Sequence, residues 1–381
     1  MKKSLLGIRW IPAVLALLFY GCVQERVETV PVDFDATEQD FEALVASIEL
    51  MPLERDRTLR MGYAPSLYKE GDNWFLAQQD VMTDPDFRNW KVYRYDGEGH
   101  FRNAIGRKGD RLDEIFRIDN LQFRDGKLVV FSLEPAGGGE KAITFDYEGN
   151  VLNAQHFEFA GSASLLVEGG VLTYYGHGDR HGREGRLMFF SEEGLPRQSF
   201  LTERTAALKF QSNADVLCPV KDGVVVLDTY SDTLWLYKKG NLKPAVAFDT
   251  GSYAVDDDFF SLNMRECAAR LFPGPYAMIH RYITSNAARM IEYSVQSADR
   301  KRYCLYGLDQ GKGWRWFRAG APFAGSIRLL EGRQVYCLLE PIELSEISDS
   351  LRARIANSGV LAEITPEDNY VIARITFTEP N

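Results

Sequence analysis

Lys91-Val92-Tyr93-Arg94-Tyr95-Asp96-Gly97-Glu98-Gly99-His100-Phe101 alternates its side chains to opposite faces, turns at an acidic–glycine pair and resumes on an aromatic residue. The same unit returns in Ala142-Ile143-Thr144-Phe145-Asp146-Tyr147-Glu148-Gly149-Asn150-Val151, then in Leu187 to Leu195, then in Leu234 to Leu242. Its turn glycines, Gly99, Gly149, Gly194 and Gly240, stand 50, 45 and 46 residues apart. Alternation over such a length marks a half-buried strand. Recurrence at such a period marks a solenoid, a propeller or an array.

A second signal precedes each unit: a polar–glycine turn, then a dense apolar run. Examples are Trp74-Phe75-Leu76 after Gly71, Leu128-Val129-Val130-Phe131 after Gly126, and Val224-Val225-Val226-Leu227 after Gly223. Glycine supplies the positive φ of a tight hairpin, and short apolar runs rich in β-branched residues read as strands buried on both faces. Each period therefore holds four strands joined by hairpins, which is one propeller blade. Four blades stand out at about 63–106, 117–159, 163–203 and 213–250. A fifth shows in Met290–Tyr293, Arg302–Tyr306 and Trp314–Phe317, and a sixth begins at Ile327 and ends in Asn369–Phe377. The strand Ala43–Leu50 is predicted to pair with the sixth blade and remove the open edge of the ring. Two stretches read as helical insertions, Asp256–Phe272 and Glu343–Asn357. Insertions in repeat proteins tend to share one face, so a ligand is expected there. The fold class is thus all-β: a six-bladed β-propeller of four-stranded blades with two short helical insertions.

Composition narrows the function. The 381 residues are 45% hydrophobic, ample for a core, and carry a net charge of −10. A chain this acidic, with no basic block standing out along it, repels a phosphate backbone, which argues against nucleic-acid binding.

Residues 1–21 read as a sorting segment outside the fold. Lys2, Lys3 and Arg9 form its charged end, Ile11–Tyr20 its apolar stretch, and Gly21-Cys22 closes it. Ten apolar residues are too few to cross a bilayer that needs about 20. A small residue followed by cysteine at this place resembles a bacterial lipobox, with Phe19-Tyr20 where a small aliphatic pair is usual. The resemblance implies that Cys22 is acylated and becomes the N-terminus, a stable anchor without a spanning helix. Residues 22–40 are predicted to be a polar tether and 41–381 the propeller. The remaining cysteines, Cys218, Cys267, Cys304 and Cys337, contain no CxxC pair. Cys304 and Cys337 sit in strands of successive blades, which diverge beyond bridging distance, so single thiols are expected.

The blade units resemble the six-bladed, NHL-like β-propeller lipoproteins of Bacteroidetes. Three places carry the resemblance: Ala104–Gly109 leading into Asp113-Glu114-Ile115, the turn Tyr95-Asp96-Gly97-Glu98-Gly99, and Ile364–Asn369 before the closing strand. Where family members have a glycine-proline-glycine-glutamate run, this chain has Arg111-Leu112-Asp113 followed by Glu114. The resemblance implies an envelope location on either side of the outer membrane. It implies a binding or scaffolding role, with a small molecule, glycan or protein as partner and no assigned activity. A calcium-dependent lactonase or hydrolase of the six-bladed type is the alternative, and a sensor ectodomain partnered with an outer-membrane transporter is a third reading.

Candidate site residues follow. Arg107, Lys108 and Arg111, with Glu114, lie in a glycine-spaced basic connection that lacks a P-loop ending; they could offer charge to an anion. His177, Asp179 and His181 are the histidine pair and acid nearest to a metal-site spacing, in a glycine-rich loop that favours a solvated turn. Asp256-Asp257-Asp258 could give oxygen ligands to calcium, or cap the helix that follows. Trp314 and Trp316 share one strand face and could stack on a sugar, or pack one blade on the next. No Ser-His-Asp context and no HExxH is present. No cofactor is required by any of these patterns, although calcium would suit the alternative.

Overall fold

The computed structural model describes residues 27–379 except 33, 35–38, 56–65, 78–89, 136–137, 177–184, 203–214, 229, 272 and 367. Among the described residues, twenty-six strands form six sheets, each of four antiparallel strands or of four plus one parallel strand. Blade 1 is Ser66–Glu70, Asn73–Ala77, Val92–Tyr95 and Phe101–Ile105, and blade 2 is Arg117–Arg124, Lys127–Leu133, Glu140–Phe145 and Val151–Phe157. Blade 3 is Ala163–Val167, Gly170–Tyr174, Gly185–Ser191 and Pro196–Thr202, and blade 4 is Leu217–Val220, Gly223–Leu227, Thr233–Lys238 and Asn241–Asp249. Blade 5 is Tyr276–Thr284, Arg289–Gln296, Arg302–Asp309 and Trp314–Arg318. Blade 6 takes Ile327–Glu331, Gln334–Leu339 and Val371–Phe377 from the C-terminal part, and its outer strand, Val45–Pro52, from the N-terminal part. First strands touch between blades 2 and 3, 3 and 4, 4 and 5, 5 and 6, and 6 and 1, so the first strands line a central channel.

The repeated glycine turn makes the blade-to-blade joint. Gly99 has φ +88°, and a Cβ there would lie 2.6 Å from the Pro52 carbonyl oxygen of the preceding blade's outer strand. Gly194 seats the same way against Phe157, and Gly240 against Gln198. Only glycine combines that φ with so close an approach. Second strands are buried on both faces, as Phe75, Leu76, Val130 and Phe131 show at 0% exposure. Each such side chain contributes roughly 1.5–3 kcal/mol of burial.

The ring closes as the sequence predicts. Val45–Pro52 runs antiparallel to Val371–Phe377, with Ile48 opposite Ile375, and Ile48 and Leu50 are buried. The second insertion, now resolved into short helical turns at Pro341–Glu346, Asp349–Arg352 and Ser358–Ala362, does not roof the channel. It folds outward along this closing strand: Ile48 N–H donates to Arg354 O at 3.0 Å, and Asn357 brackets Leu50 through both its backbone groups. It thereby caps an edge that would otherwise template another chain. The first insertion does stand at the channel mouth. Its helix, Met264–Leu271, packs Cys267 and Leu271 with Phe259 against Tyr230, and half-buried Tyr276 and Met278 of blade 5's inner strand join the cluster.

The segment expected as a polar tether is in part structured. Glu28–Pro31 adds a fifth, parallel strand to the outer edge of blade 4, and Gln39–Asp40 does the same on blade 5. Val30, Val32 and Phe34 are buried; their spacing of two is that of a strand with one face inward. Acidic neighbours mask this pattern in the sequence.

Hairpins between first and second strands are short, as at 71–72, 125–126, 168–169 and 221–222, and all lie at one end of the channel. The other end receives the chain entering each inner strand, including 106–116 and the first insertion.

Candidate functional site

Side chains from four blades meet in the channel wall. On blade 5, the inner strand Tyr276–Thr284 breaks register with its partner between Ile279 and Arg281, leaving His280 on the bulge. The inner strands of blades 2 and 6 break likewise, at Asp119 and at Arg328. Bulges re-aim a side chain and recur beside functional sites. Here each one carries a titratable residue.

Arg281 is the hub. Its Nε donates to Asp215 Oδ2 of blade 4's approach at 2.5 Å, and its Nη1 to Glu292 Oε2 at 3.3 Å and to the Ile327 carbonyl of blade 6. The two carboxylates push its guanidinium pKa above the usual value despite burial. Arg328 lies close by. Its Nη1 donates to the Gly325 and Ile327 carbonyls at 2.6 and 3.2 Å, and among the described residues no carboxylate lies within ion-pair distance of it. Burial, and then Arg281, pull its pKa down. His280 is held below its ordinary pKa by burial, so it is neutral at pH 7. Tyr68 of blade 1 completes the cluster, its phenol pushed up by burial and then by Asp215. Half-buried Cys218 and Cys304 and buried Cys337 stand round it as free thiols. Burial raises Cys304 to about 11 and Cys337 to about 12, so neither is a thiolate nucleophile at neutral pH.

A second polar set is sealed between blades 2, 3 and 4. Glu140 is 0% exposed; Ser164 Oγ donates to its Oε2 at 2.6 Å and lies 3.1 Å from Thr173 Oγ1. Burial first, then the nearby Asp119 charge, raise the Glu140 pKa far above the carboxylate range. Lys141, also 0% exposed, donates to the carbonyls of Arg111 at 2.7 Å and Glu114 at 2.8 Å. Arg186 forks onto Asp228 at 2.9 and 2.6 Å, and Tyr174 Oη donates to the same carboxylate at 2.8 Å.

The residues singled out from sequence are scattered rather than gathered. Arg107 is spent on Asp113 and Glu114, both at 3.1 Å. Glu114 in turn accepts from Arg111 N–H at 3.2 Å. Lys108 bridges Ile115 through its backbone, and Lys108 and Arg111 are exposed on this blade 1–2 connection. Trp314 and Trp316 do share a face, stacked at 6.0 Å and 19°. They pack edge-on against Phe248 of blade 4, with Arg289 over Trp314 at 5.1 Å, and so serve the blade joint. His177, Asp179, His181 and Cys22 lie outside the described residues. Asp256 precedes a 3-10 turn and makes no side-chain cap. The helix at Met264 is instead capped by Asn263, whose Oδ1 accepts from Arg265 and Glu266 N–H at 3.1 and 3.0 Å. Among the described residues no three His, Cys, Asp or Glu side chains are grouped to hold a metal ion.

A groove of about 430 Å³ opens between blades 2 and 3 at the hairpin end, floored by Phe157, Leu166 and Val171 and edged by Arg124 and Glu192. It lies away from the channel-mouth charges.

This architecture has known relatives. The model of a domain of unknown function, DUF4934, matches residues 27–376, and the chain belongs to that family. A protein of Bacteroides fragilis NCTC 9343 described as exported matches at TM-score 0.69 and 12% identity, over 93% of this chain and 100% of that one. A DUF4221 member from Bacteroides vulgatus gives TM-score 0.49 at 9% identity over 89% and 98%. An endo-arabinase from Bacteroides thetaiotaomicron gives 0.32 at 10% over 87% and 97%. At such identities the likeness is one of fold alone. No curated protein matches.

Proposed function

We propose that this protein is a lipid-anchored envelope propeller that binds an anionic group, a carboxylate on a glycan or peptide, at the channel mouth. The observation that carries the reading is Arg328: a half-buried guanidinium on a bulge, beside an arginine already neutralised by two carboxylates, with no carboxylate of its own among the described residues. A planar fork in such a place is suited to a bidentate carboxylate. The acyl anchor rests on the Gly21-Cys22 pattern, and an exported fold relative agrees with it. No helix among the described residues is long and apolar enough to cross a membrane. As in the NHL-like lipoproteins, the role is recognition or scaffolding, with a glycan or protein as the partner.

The calcium-dependent hydrolase remains the second reading. It needs at least three converging oxygen side chains, whereas the channel wall pairs Asp215 and Glu292 with Arg281. The test is a thermal-melt screen of acidic and neutral glycans, acidic peptides, calcium and transition metals. Ligands that bind the native state raise Tm by mass action. A shift with uronate-containing glycans or acidic peptides, lost in Arg328→Ala, supports the binding reading. A shift with calcium alone overturns it in favour of the hydrolase.

A further inference from the structure

The joint between blades 1 and 2 and the joint between blades 2 and 3 share one plan and are filled differently. Phe123 and Leu166 hold equivalent points, since Arg124 pairs with Lys127 and Val167 with Gly170 at the two inner hairpins. By the same register Phe75 corresponds to Val129. The outer turns match through Gly149 N–H donating to Asp146 O and Gly194 N–H to Ser191 O, which sets Tyr147 against Glu192. In the first joint the aromatics pack together, with Phe75 4.7 Å from Phe123 and 5.2 Å from Tyr147. Burial, then the Glu70 charge across the joint, raise the Tyr147 phenol. Glu70 holds the place that Arg124 takes one blade on. In the second joint a valine, a leucine and a glutamate replace the three rings, and the groove of about 430 Å³ opens there.

Two opposite charges edge this groove. Arg124 ends the first strand of blade 2, on the channel side. Its Nε is 3.7 Å from Asp125 Oδ2, too far to hydrogen-bond, and its guanidinium is half exposed. Glu192 stands on the turn after the third strand of blade 3, towards the outside of the ring, and is exposed. Gln155 pins that turn by donating its amide to the Glu192 carbonyl. Ser191, then the Arg197 charge, already hold the neighbouring Glu193 carboxylate, so Glu192 is the acid left to meet a ligand. The apolar floor of Phe157, Leu166 and Val171 lies between the two charges.

We infer that this groove binds a short zwitterionic peptide of two or three residues. Its α-carboxylate sits on Arg124, its α-ammonium on Glu192 and an apolar side chain on Phe157, Leu166 and Val171. A lone anion would be repelled by Glu192 and a lone cation by Arg124; a zwitterion answers both. A planar guanidinium suits a carboxylate. The first and third strands of a blade lie about 10 Å apart, and an extended residue spans about 3.5 Å, which sets the length. The volume falls at the small end of ligand clefts.

The experiment is a calorimetric titration of the full chain with leucylleucine, its N-acetyl and C-amide forms, and glycylglycine. Leucylleucine should bind, and each blocked form about fivefold more weakly, the worth of one water-exposed ion pair. Glycylglycine, without apolar side chains, should bind more than about tenfold more weakly. Arg124→Gln should weaken leucylleucine about fivefold and leave the C-amide form unchanged. Glu192→Gln should do the same for leucylleucine and leave the N-acetyl form unchanged. Glu192→Tyr restores the ring found in the first joint and should abolish binding. Arg328→Ala should bind as the parent does. No binding of leucylleucine, or equal affinity for free and blocked forms, overturns the site and leaves the channel reading standing. A loss in Arg328→Ala with none in Arg124→Gln places the peptide in the channel and also overturns it.

Discussion

Two polar regions of this ring handle charge in opposite ways. Around Arg281 and Arg328, at the inner strands of blades 4, 5 and 6, Asp215 and buried Glu292 answer Arg281, while half-buried Arg328 keeps no carboxylate among the described residues. Between blades 2, 3 and 4, Glu140, Lys141, Arg186 and Asp228 are shut from water, each tied to a specific partner. The difference separates building from binding. A sealed charge must be answered inside the protein, because leaving one uncompensated costs several kcal/mol. A charge at a channel can be answered by water or by a ligand. Removing sealed partners should therefore cost stability, and removing Arg328 should cost recognition.

The largest effect is expected from Arg186→Met, which removes the guanidinium that forks onto buried Asp228 at the blade 3–4 joint. A loss of about 3–5 kcal/mol in urea unfolding is expected. Arg186→Met/Asp228→Leu should recover most of it, and an equal loss in the double variant would refute the isolated-charge explanation. Next comes Lys141→Met. It leaves the carbonyls of Arg111 and Glu114 without their donor, so about 2–3 kcal/mol should be lost. Hydrogen exchange should quicken in residues 107–115 before the rest of blade 2; uniform exchange would show that Lys141 does not pin that connection.

Asp232 tests the pH side of the comparison. Burial, opposed by a 2.8 Å hydrogen bond from Thr250, raises its pKa to about 6. A carboxyl whose folded pKa exceeds its unfolded value of about 3.9 favours the fold when protonated. Its contribution is complete below pH 3.9 and is lost as pH rises through about 6. Asp232→Asn should therefore gain up to about 3 kcal/mol over the parent at pH 8 and nothing at pH 3.5. A gain that is the same at both values would contradict the assignment. Glu140 has the same sign, so Glu140→Gln should further flatten the fall in stability above pH 5. The smallest stability effect belongs to Arg328→Ala, within about 1 kcal/mol, as its removal also relieves repulsion with Arg281.

Much of the ring was legible because its joints repeat. The glycine turns at Gly99, Gly149, Gly194 and Gly240 announce blades, and the orphan strand before Leu50 announces closure. Trp314 and Trp316 were legible as a shared face, but whether that face met a sugar or Phe248 depended on the neighbouring blade. The channel cluster was not legible, for a definite reason. In Tyr276–Thr284 the buried residues Ala277, Ile279 and Tyr282 change phase at His280. The bulge that aims the site destroys the period-2 signal that finds strands. Glu140 and Lys141 carry no signal in the sequence, because charge at a strand's start usually faces water. Their partners lie 24 and 30 residues away, at Ser164 and Arg111. The N-terminal strand hid its Val30, Val32 and Phe34 among acids. Sites assembled from several blades leave no local spacing to read.

The most direct test is a calorimetric titration of the strongest acidic ligand from the melt screen into the parent protein, Arg328→Ala and Arg111→Ala. Arg328 at the channel and Arg111 on the exposed connection are the two competing places for an anion. If the channel is the site, Arg328→Ala should weaken binding at least tenfold, about 1.4 kcal/mol, with Arg111→Ala unchanged. Unaltered affinity in Arg328→Ala, with a loss in Arg111→Ala, would move the site out of the channel and contradict the account.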